Sequence, residues 1–280
     1  MPEWIVAHEA PLRLAAFLSV LALLLLAQER WPRRVPAPGR RGRWSVNLSM
    51  VVLGALVARA MAGLVVLLGA VAAAQWAARH GVGVLAWLQW PPLVEGALAF
   101  LALDCAIYWQ HRLFHRLPLF WRLHRMHHSD LDFDTTTGVR FHPVEIGVSM
   151  LIKVAVVLAL GAPALAVILF EVALNATSLF NHANLRLPPA LDGALRRLLV
   201  TPDMHRVHHS VHRREHDSNF GFNLPWWDHL FRSYTDQPAD GHTTMAIGLQ
   251  QFRDAGEQRL GPLLLQPLKE VKKGSDEFSR

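Results

Sequence analysis

Five apolar stretches, each long enough to cross a lipid bilayer as a helix, constrain the fold of this 280-residue chain more than any other feature. A transmembrane helix needs about 20 predominantly apolar residues. The stretches begin near Trp4, Asn47, Pro92, Val144 and Pro163. We therefore predict an all-α integral membrane protein with about four to five transmembrane helices.

The composition favours a single membrane domain. Hydrophobic residues make up 52% of the chain and charged residues 18%, whereas an average soluble domain has roughly 25% charged residues. The one cysteine, Cys105, excludes a disulfide framework and a site built from several thiolates. The net charge of +6 comes from basic residues that flank the apolar stretches, which is typical of membrane topology rather than of nucleic-acid binding.

Positive charge also predicts the orientation, because Lys and Arg accumulate in cytoplasmic loops. The loop from Gln28 to Ser45 contains six arginines, whereas the loop from Gln75 to Pro91 contains only Arg79. The first loop is therefore expected to face the cytoplasm. Counting five spans from it places the segment from His111 to His142, and the chain from His182 onward, on the same side.

Two local features are unusual for membrane helices. Arg59 falls well inside the second predicted span, where a charge costs a few kcal/mol on insertion scales. It should therefore reach the interface with its long side chain or pair with Asp104. The last two spans are joined by only Gly161 and Ala162, which predicts a tight helical hairpin that either crosses the membrane or dips into it.

Histidines are concentrated in three short motifs. Of the 16 histidines, 14 lie after residue 110. The motifs are HRLFH with His111 and His115, HRMHH with His124, His127 and His128, and HRVHH with His205, His208 and His209. Residues at i, i+3 and i+4 of a helix share a face, so each motif is expected to direct two or three imidazoles at one point. This arrangement predicts metal ligands.

The number of imidazoles indicates how many metals they hold. Imidazole binds Zn, Cu, Fe and Ni, so the ligand type alone does not name the metal. A single tetrahedral zinc accepts four ligands, and eight or nine imidazoles therefore imply two metals. The chain has no HExxH motif, and its one HxxEH sequence, at His212–His216, lies outside the three histidine motifs, so a zinc protease is not favoured. It also lacks the Glu-x-x-His motifs of ferritin-type di-iron bundles.

The spacing HxxxH, HxxHH and a distant HxxHH resembles that of the fatty acid hydroxylase and sterol desaturase superfamily. The resemblance runs from Asp104 to Tyr234. In this range the sequence is similar to bacterial members of the superfamily and to alkylglycerol monooxygenases. Its other matching stretches are RFHPVE at Arg140–Glu145, NHAN at Asn181–Asn184, TPDM at Thr201–Met204, NFG at Asn219–Gly221 and WDHLF at Trp227–Phe231. The resemblance implies two iron ions that activate O2 and attack a C–H bond of a membrane lipid.

The resemblance also implies that His182, between the second and third motifs, is a further ligand. Asp104 and Tyr108 lie on the helix face that carries His111 and His115, so we assign them catalytic roles. We expect Asp104 to accept a hydrogen bond from a metal-bound histidine, as carboxylates in metal sites commonly do. Weaker candidates for such a partner are Glu145, Asp203, Asp217 and Asp228.

The remaining histidines are assigned more ordinary roles. His142 is expected to be a ligand, a partner of a ligand or the start of a helix. His212 and His216 follow the third motif closely and are as well explained by a solvated loop. The isolated histidines, which we expect to be surface residues, are His8, His80, His229 and His242.

Hydroxylation of a lipid is the favoured reaction, with desaturation at the same site as the alternative. A separate electron donor is expected, because no cytochrome b5, flavin or ferredoxin module is recognisable. Apolar residues of the spans, including Phe100, Leu103 and Ile107, are candidates to line the route of the lipid chain. A membrane transporter, a haem protein and a metal-binding protein that is not an oxygenase are less favoured alternatives.

We divide the chain into three parts. Residues 1–91 form the N-terminal transmembrane helices, and residues 92–235 form the catalytic domain similar to fatty acid hydroxylases and sterol desaturases. Residues 236–280 form a peripheral tail. The expected location is a bacterial inner membrane, with a cytoplasmic helical cap that holds the histidine-rich di-metal site.

Overall fold

A computed structural model describes residues 2–64, 69–88 and 90–270, and in these ranges the chain is helical with no strand longer than an isolated bridge. The helices are α1 (Pro2–Ala7), α2 (Glu9–Arg30), α3 (Arg40–Leu64), α4 (Ala70–His80), α5 (Val84–Leu88), α6 (Pro92–Arg116), α7 (Pro118–His128), α8 (Pro143–Leu160), α9 (Ala164–Asn181), α10 (Pro189–Leu195), α11 (Pro202–His208), α12 (Arg213–His216), α13 (Trp226–Leu230) and α14 (Leu260–Leu265).

Five of these helices, α2, α3, α6, α8 and α9, are long and apolar enough to cross a membrane. The prediction of an all-α membrane protein with five spans is therefore confirmed. The boundaries differ from the expectation at two places. The N-terminal stretch is broken at His8, and the second span begins at Arg40 rather than near Asn47.

The earlier start of α3 explains Arg59. With a rise of 1.5 Å per residue, Arg59 lies about 28 Å from the first residue of α3 and so close to the far end of a span. Its side chain is exposed. Asp104, the alternative partner considered for it, is hydrogen bonded to Asn223 and Trp227 instead. Arg59 is thus in a position from which it can reach the membrane interface.

The centre of the bundle is formed by α6, α8 and α9. Helix α2 packs on α9, and α3 packs on α8. The segment between the second and third spans, predicted to be a loop from residue 75 onward, contains α4 and α5. Helix α4 buries Ala73, Ala74 and Ala77 completely, and these small side chains let it pack closely against α8 and α9.

The hairpin of α8 and α9 turns within three residues. Gly161 has a φ of 66°, a left-handed conformation that glycine adopts without strain. A Cβ atom at Gly161 would lie 2.5 Å from the carbonyl oxygen of Val82. Both helices have 18 residues, which corresponds to about 27 Å and is long enough to cross most of the hydrocarbon layer.

A cluster of three charged side chains, centred on a buried carboxylate, joins three of the spans. Glu171 of α9 is 3% exposed, and its Oε1 lies 2.5 Å from Nζ of Lys153 on α8. Its Oε2 lies 3.0 Å from Nη1 of Arg13 on α2. Opposite charges compensate each other here, as charged groups inside a membrane protein require.

The cap lies at the end of the bundle where α6 and α9 finish and α3 and α8 begin. The arginine-rich connection between α2 and α3 packs against it. Arg33 Nη2 lies 3.0 Å from Asp203 Oδ2, and Arg43 Nη1 lies 2.7 Å from Asp130 Oδ2. These arginines, read from the sequence as topology signals, also hold the N-terminal helices to the cap.

The segment predicted to be a peripheral tail is integrated into the cap as far as residue 270. Met245 and Ile247 form a buried cluster with Phe133. Arg125 Nη2 donates to the carbonyl oxygen of Gln266 at 2.7 Å, and α14 packs against α3. The prediction is therefore wrong for residues 236–270, because their apolar side chains cover the loop after α7. Residues 271–280 of the predicted tail lie outside the described residues.

Candidate metal centre

Nine buried histidines form two neighbouring groups in the cap. Within each group, one ligand-capable atom per residue lies within 4.8 Å of those of the others. The five-histidine group is His111, His115, His124, His128 and His208. The four-histidine group is His127, His182, His205 and His209. The structure thus brings together all nine residues assigned as ligands from the sequence.

Short helices and helix ends aim these rings at the centre. His111 and His115 lie in the last turns of α6, which ends before the Leu117–Pro118 step because Pro118 starts α7. His182 is the C-cap of α9. Thr201 caps the N-terminus of α11 by accepting a hydrogen bond from the Met204 amide, which starts the helix that carries the third motif.

The second and third motifs each supply both groups, which corrects the expectation that each motif aims at one point. In the second motif, His124 and His128 belong to the five-histidine group and His127 to the four-histidine group. The third motif does the reverse, because only His208 joins the five-histidine group. Adjacent residues of an α-helix differ by about 100° around the axis, so neighbouring histidines point to different groups.

Hydrogen bonds to backbone carbonyl oxygens fix the tautomer of four of these rings, and the Glu145 carboxylate orients a fifth. A carbonyl oxygen only accepts, so an Nδ1 atom bonded to it must carry the hydrogen. His111 Nδ1 donates to Phe220 O at 2.8 Å, and His208 Nδ1 donates to Ser218 O at 2.6 Å. His182 and His127 donate in the same way to Ser178 O at 2.7 Å and to Arg140 O at 3.3 Å. His124 Nδ1 donates to the Glu145 side chain at 2.7 Å.

The Nε2 atoms of the same rings therefore carry lone pairs, and they face each other. His111 Nε2 lies 3.1 Å from His124 Nε2 and 3.0 Å from His208 Nε2. His182 Nε2 lies 3.2 Å from His127 Nε2. Two lone pairs cannot form a hydrogen bond, whereas a metal cation accepts both. The donor set of each group therefore fits a metal ion.

The cap also keeps these imidazoles neutral. Burial lowers the pKa of His124 and of His182 to about 3. Burial together with neighbouring histidines lowers the pKa of His127 and His209 well below 6.5. A histidine binds a metal only when neutral, so these rings are in the ligand form at neutral pH.

The comparison with known proteins agrees with this geometry. Residues 96–233 match the family model of fatty acid hydroxylases. This part of the chain belongs to the fatty acid hydroxylase family. All nine histidines of the two groups fall within the matched range of the fatty acid hydroxylase domain.

The relatives are named for different reactions. The ornithine lipid hydroxylase OlsE of Rhizobium tropici is 31% identical over 57% of this chain and 47% of its own length. Alkylglycerol monooxygenase of Homo sapiens is 30% identical over 49% of this chain and 29% of its own. A very-long-chain aldehyde decarbonylase of Oryza sativa subsp. indica is 27% identical over 55% and 24%. The matches thus span less than half the length of these relatives. No solved structure matches the chain.

Among the described residues, Glu145 is the carboxylate with the shortest contact to one of the nine histidines. Its Oε1 atom accepts the His124 Nδ1 hydrogen bond, and its side chain is 4% exposed. The sequence analysis ranked Glu145 below Asp104 because Asp104 shares a helix face with His111 and His115, whereas 21 residues separate Glu145 from His124. Asp217 Oδ1 lies 3.3 Å from His115 Nδ1, so it is a second carboxylate beside a ligand.

Asp104 is hydrogen bonded to a loop and not to a histidine ring. Its Oδ1 accepts from Asn223 Nδ2 at 2.8 Å, and its Oδ2 accepts from Trp227 Nε1 at 2.8 Å and from the Leu224 amide at 3.2 Å. The prediction that Asp104 accepts from a metal-bound histidine is therefore wrong. This loop carries Phe220, whose carbonyl oxygen accepts a hydrogen bond from His111. Asp104 is therefore linked to the five-histidine group through the backbone of this loop.

Asp228 and Tyr108 support the same loop. Asp228 accepts hydrogen bonds from the Phe220 and Gly221 amides at 2.8 Å each, and burial raises its pKa to about 6. Ser233 Oγ lies 2.7 Å from Asp228 Oδ1 and 2.8 Å from the Tyr108 hydroxyl. Tyr108 is thus linked to the histidines through Asp228 and the loop, and its catalytic role stays a prediction.

The other histidines take the roles of caps, packing residues and surface residues. His142 caps α8, because its Nδ1 accepts from the Val144 amide at 3.2 Å. His216 is buried and its ring stacks on Trp121 at 5.6 Å. His212 is exposed beside Asp240. His242, expected on the surface, is 6% exposed, because residues after 235 pack into the cap.

Replacing Asp104 by Asn should slow the lipid oxidation that the sequence resemblance implies by roughly 10- to 100-fold, the range expected when the support of a metal ligand is lost. The new amide NH2 would face the Trp227 and Leu224 donors and loosen the loop, while all nine imidazoles remain. Metal content should therefore stay close to wild type. Oxidation rates and metal analysis of the purified variant check this. Loss of metal as complete as in a histidine variant would contradict it.

Proposed function

We propose that the chain is a membrane-bound, non-haem di-iron oxygenase that hydroxylates a C–H bond of a lipid. The observation that carries the proposal is the pair of histidine groups, whose bare ring nitrogens face each other at the end of a bundle of membrane-length helices. The names of the relatives, which include a lipid hydroxylase and a monooxygenase, support the same reaction class.

The reaction has a simple balance. The lipid RH, O2, two electrons and two protons give ROH and water, so one oxygen atom enters the lipid and the other is reduced. The two electrons come from a separate donor protein or cofactor. When bound, iron supplies the O2 chemistry that no amino-acid side chain provides. Zinc also binds imidazole but has no redox chemistry.

The residues of the chain do the positioning. The five-histidine group and the four-histidine group would hold one metal each, and the carbonyl oxygens of Phe220, Ser218 and Ser178 fix the ring orientations. Glu145 orients His124. The apolar core beneath the cap, which includes Leu103, excludes water from the side on which a lipid chain would approach.

The predicted metal content follows from the two groups. Protein purified under iron-replete, reducing conditions should carry close to two metal ions per chain, because two separate sets of imidazoles converge. Elemental analysis of active protein measures this ratio. A ratio of one or less in active protein would contradict a di-metal centre.

We propose that the cap faces the cytoplasm of a bacterial inner membrane. The arginine-rich connection between α2 and α3 touches the cap through Arg33 and Asp203, so the positive-inside rule applies to both together. In a Cys105→Ala background, Arg214→Cys in the cap should react with an impermeant maleimide only after the membrane is opened. His80→Cys at the other end of the bundle should react in intact spheroplasts. The reverse pattern would contradict this orientation.

Mass spectrometry of membrane lipids from cells with and without the gene tests the function. A lipid heavier by one oxygen atom, which contains 18O when the cells are grown under 18O2, would support hydroxylation. A lipid lighter by two hydrogen atoms would identify a desaturase with the same centre. An unchanged lipid profile with metal-loaded, electron-supplied protein would favour a metal-binding protein that is not an oxygenase.

A further inference from the structure

Two phenylalanine rings lie against both histidine groups at once. Phe141 is 4.5 Å from His127 and 6.3 Å from His124, measured between ring centroids. Phe222 is 5.0 Å from His111 and 5.7 Å from His205. Each ring therefore touches one histidine of the five-histidine group and one of the four-histidine group.

The other aromatic side chains around the centre touch one group only, among the residues that the structure describes. Phe133 lies against His182 and His209, both of the four-histidine group. Phe114, Trp121 and Phe220 lie against the five-histidine group alone. Phe141 and Phe222 thus mark the boundary between the two groups.

Both rings also belong to the apolar core of the helix bundle. Phe222 is 8% exposed and packs in the cluster that contains Leu103 and Ile107 of α6, and Phe141 packs against the same cluster. Their backbones are fixed on the cap side. Asn181 Nδ2 donates to the carbonyl oxygen of Phe222 at 3.2 Å, and Phe141 lies two residues before α8 begins. The two rings therefore stand between the metal centre and the membrane interior.

A lipid chain presents no polar atom near the reacting carbon, so its methylene groups differ only in position along the chain. A protein can select one of them only by shape and by contacts at a fixed depth. In this chain, the rings of Phe141 and Phe222 are the aromatic groups that meet the apolar core and both metal sites.

We propose that Phe141 and Phe222 form the apolar slot that holds the substrate chain between the two metal sites and determine which carbon is oxidised. The ligand class is a long saturated acyl or alkyl chain that enters from the helix bundle. The inference rests on the proposed lipid oxidation. It goes further by assigning regioselectivity to two residues that are not metal ligands.

The first experiment compares Phe141→Leu and Phe222→Leu with Phe133→Leu. Phe133 is a matched control, because its ring also touches two histidines but both belong to one group. The lipids of cells that express each variant are analysed by tandem mass spectrometry for the position of the new oxygen atom or double bond. Phe141→Leu and Phe222→Leu should give products in which this position moves by at least one carbon. Phe133→Leu should keep the wild-type position, whatever its rate of lipid oxidation.

A second experiment does not depend on turnover. A phosphatidylcholine with a diazirine in one acyl chain is photolysed with wild-type protein in vesicles, and the labelled peptides are sequenced. Labels at residues 139–144 or 219–224 are expected, and Phe222→Trp, which fills the slot, should reduce them. Labels confined to the outer faces of the spans would overturn the inference.

The outcomes separate the slot from the function. If both slot variants retain activity and oxidise the same carbon as the wild type, the proposed slot is contradicted, whereas the proposed oxygenase function is not. If the wild type oxidises no lipid, the proposed function fails, and the cross-linking pattern still decides whether a chain reaches Phe141 and Phe222. If a slot variant fails to fold, as shown by loss of metal and of protein in the membrane, Phe141→Trp replaces it and should shift the product position by narrowing the slot.

Discussion

Replacing His127 or His208 by Ala should abolish lipid oxidation and lower the bound metal by up to one ion per chain, because each histidine belongs to a different ligand group. His127 is one of four imidazoles, and its loss leaves three and lets water compete. His208 is one of five, so its loss leaves a set that still retains some metal. We therefore expect the larger loss of metal in His127→Ala. Metal analysis and lipid mass spectrometry of the two variants measure the difference.

The controls are His80→Ala and His212→Ala. Both side chains are exposed, and isolated surface substitutions usually change stability by no more than about 0.5 kcal/mol. His242 is unsuitable as a control, because it is buried and its Nε2 lies 3.7 Å from Asp203. If His127→Ala and His208→Ala proved as harmless as the controls, the two groups would not be metal sites and the oxygenase proposal would fall.

Replacing Glu145 by Leu should reduce lipid oxidation by roughly 10- to 100-fold and weaken metal binding by a similar factor, as expected when the hydrogen-bond partner of a metal ligand is removed. The side chain is buried, and it is the acceptor of the His124 Nδ1 hydrogen bond at 2.7 Å. Without this acceptor the ring can rotate, and its Nε2 atom is no longer held toward the metal. Glu145→Gln keeps an oxygen acceptor and should lose less.

Glu95→Leu is the matched control for this prediction. Glu95 also lies in the first turn of a membrane-length helix, α6, but at the end of the bundle away from the cap. Its side chain accepts from the Trp90 amide and has no contact with the centre. Equal losses of activity and metal in Glu145→Leu and Glu95→Leu would show a general effect on the bundle and contradict the specific role of Glu145.

Local sequence was sufficient for the helical class, the five spans and the set of histidines. Span length depends on a continuous run of apolar residues, which is visible in the sequence. The histidines of each motif lie within five residues of one another, so their convergence depends mainly on helix geometry. The spacing did not show that neighbours such as His127 and His128 would serve different groups, because this depends on what lies opposite each face.

Only the tertiary structure decided which carboxylates, carbonyl groups and apolar rings surround the histidines. His208 Nε2 meets His111 Nε2 across 97 residues, and Asp104 meets Trp227 across 123. The sequence placed Asp104 correctly on the face of α6 that carries His111, but a shared face does not mean contact. On one helix their Cα atoms are about 10 Å apart, and the loop that carries Phe220 fills that space.

The same reason explains the boundaries that the sequence placed wrongly. The start of α3 at Arg40 and the packing of residues 236–270 depend on partners elsewhere in the chain, such as Asp130 for Arg43 and Phe133 for Met245. A charged or weakly apolar segment has no periodicity that predicts such partners. The sequence by itself thus determined that the chain enters a membrane and gathers histidines at one end. The packing of helices and loops decided how those histidines divide into two sites and what stands between them and the membrane interior, because contacts between distant segments are not encoded in local spacing.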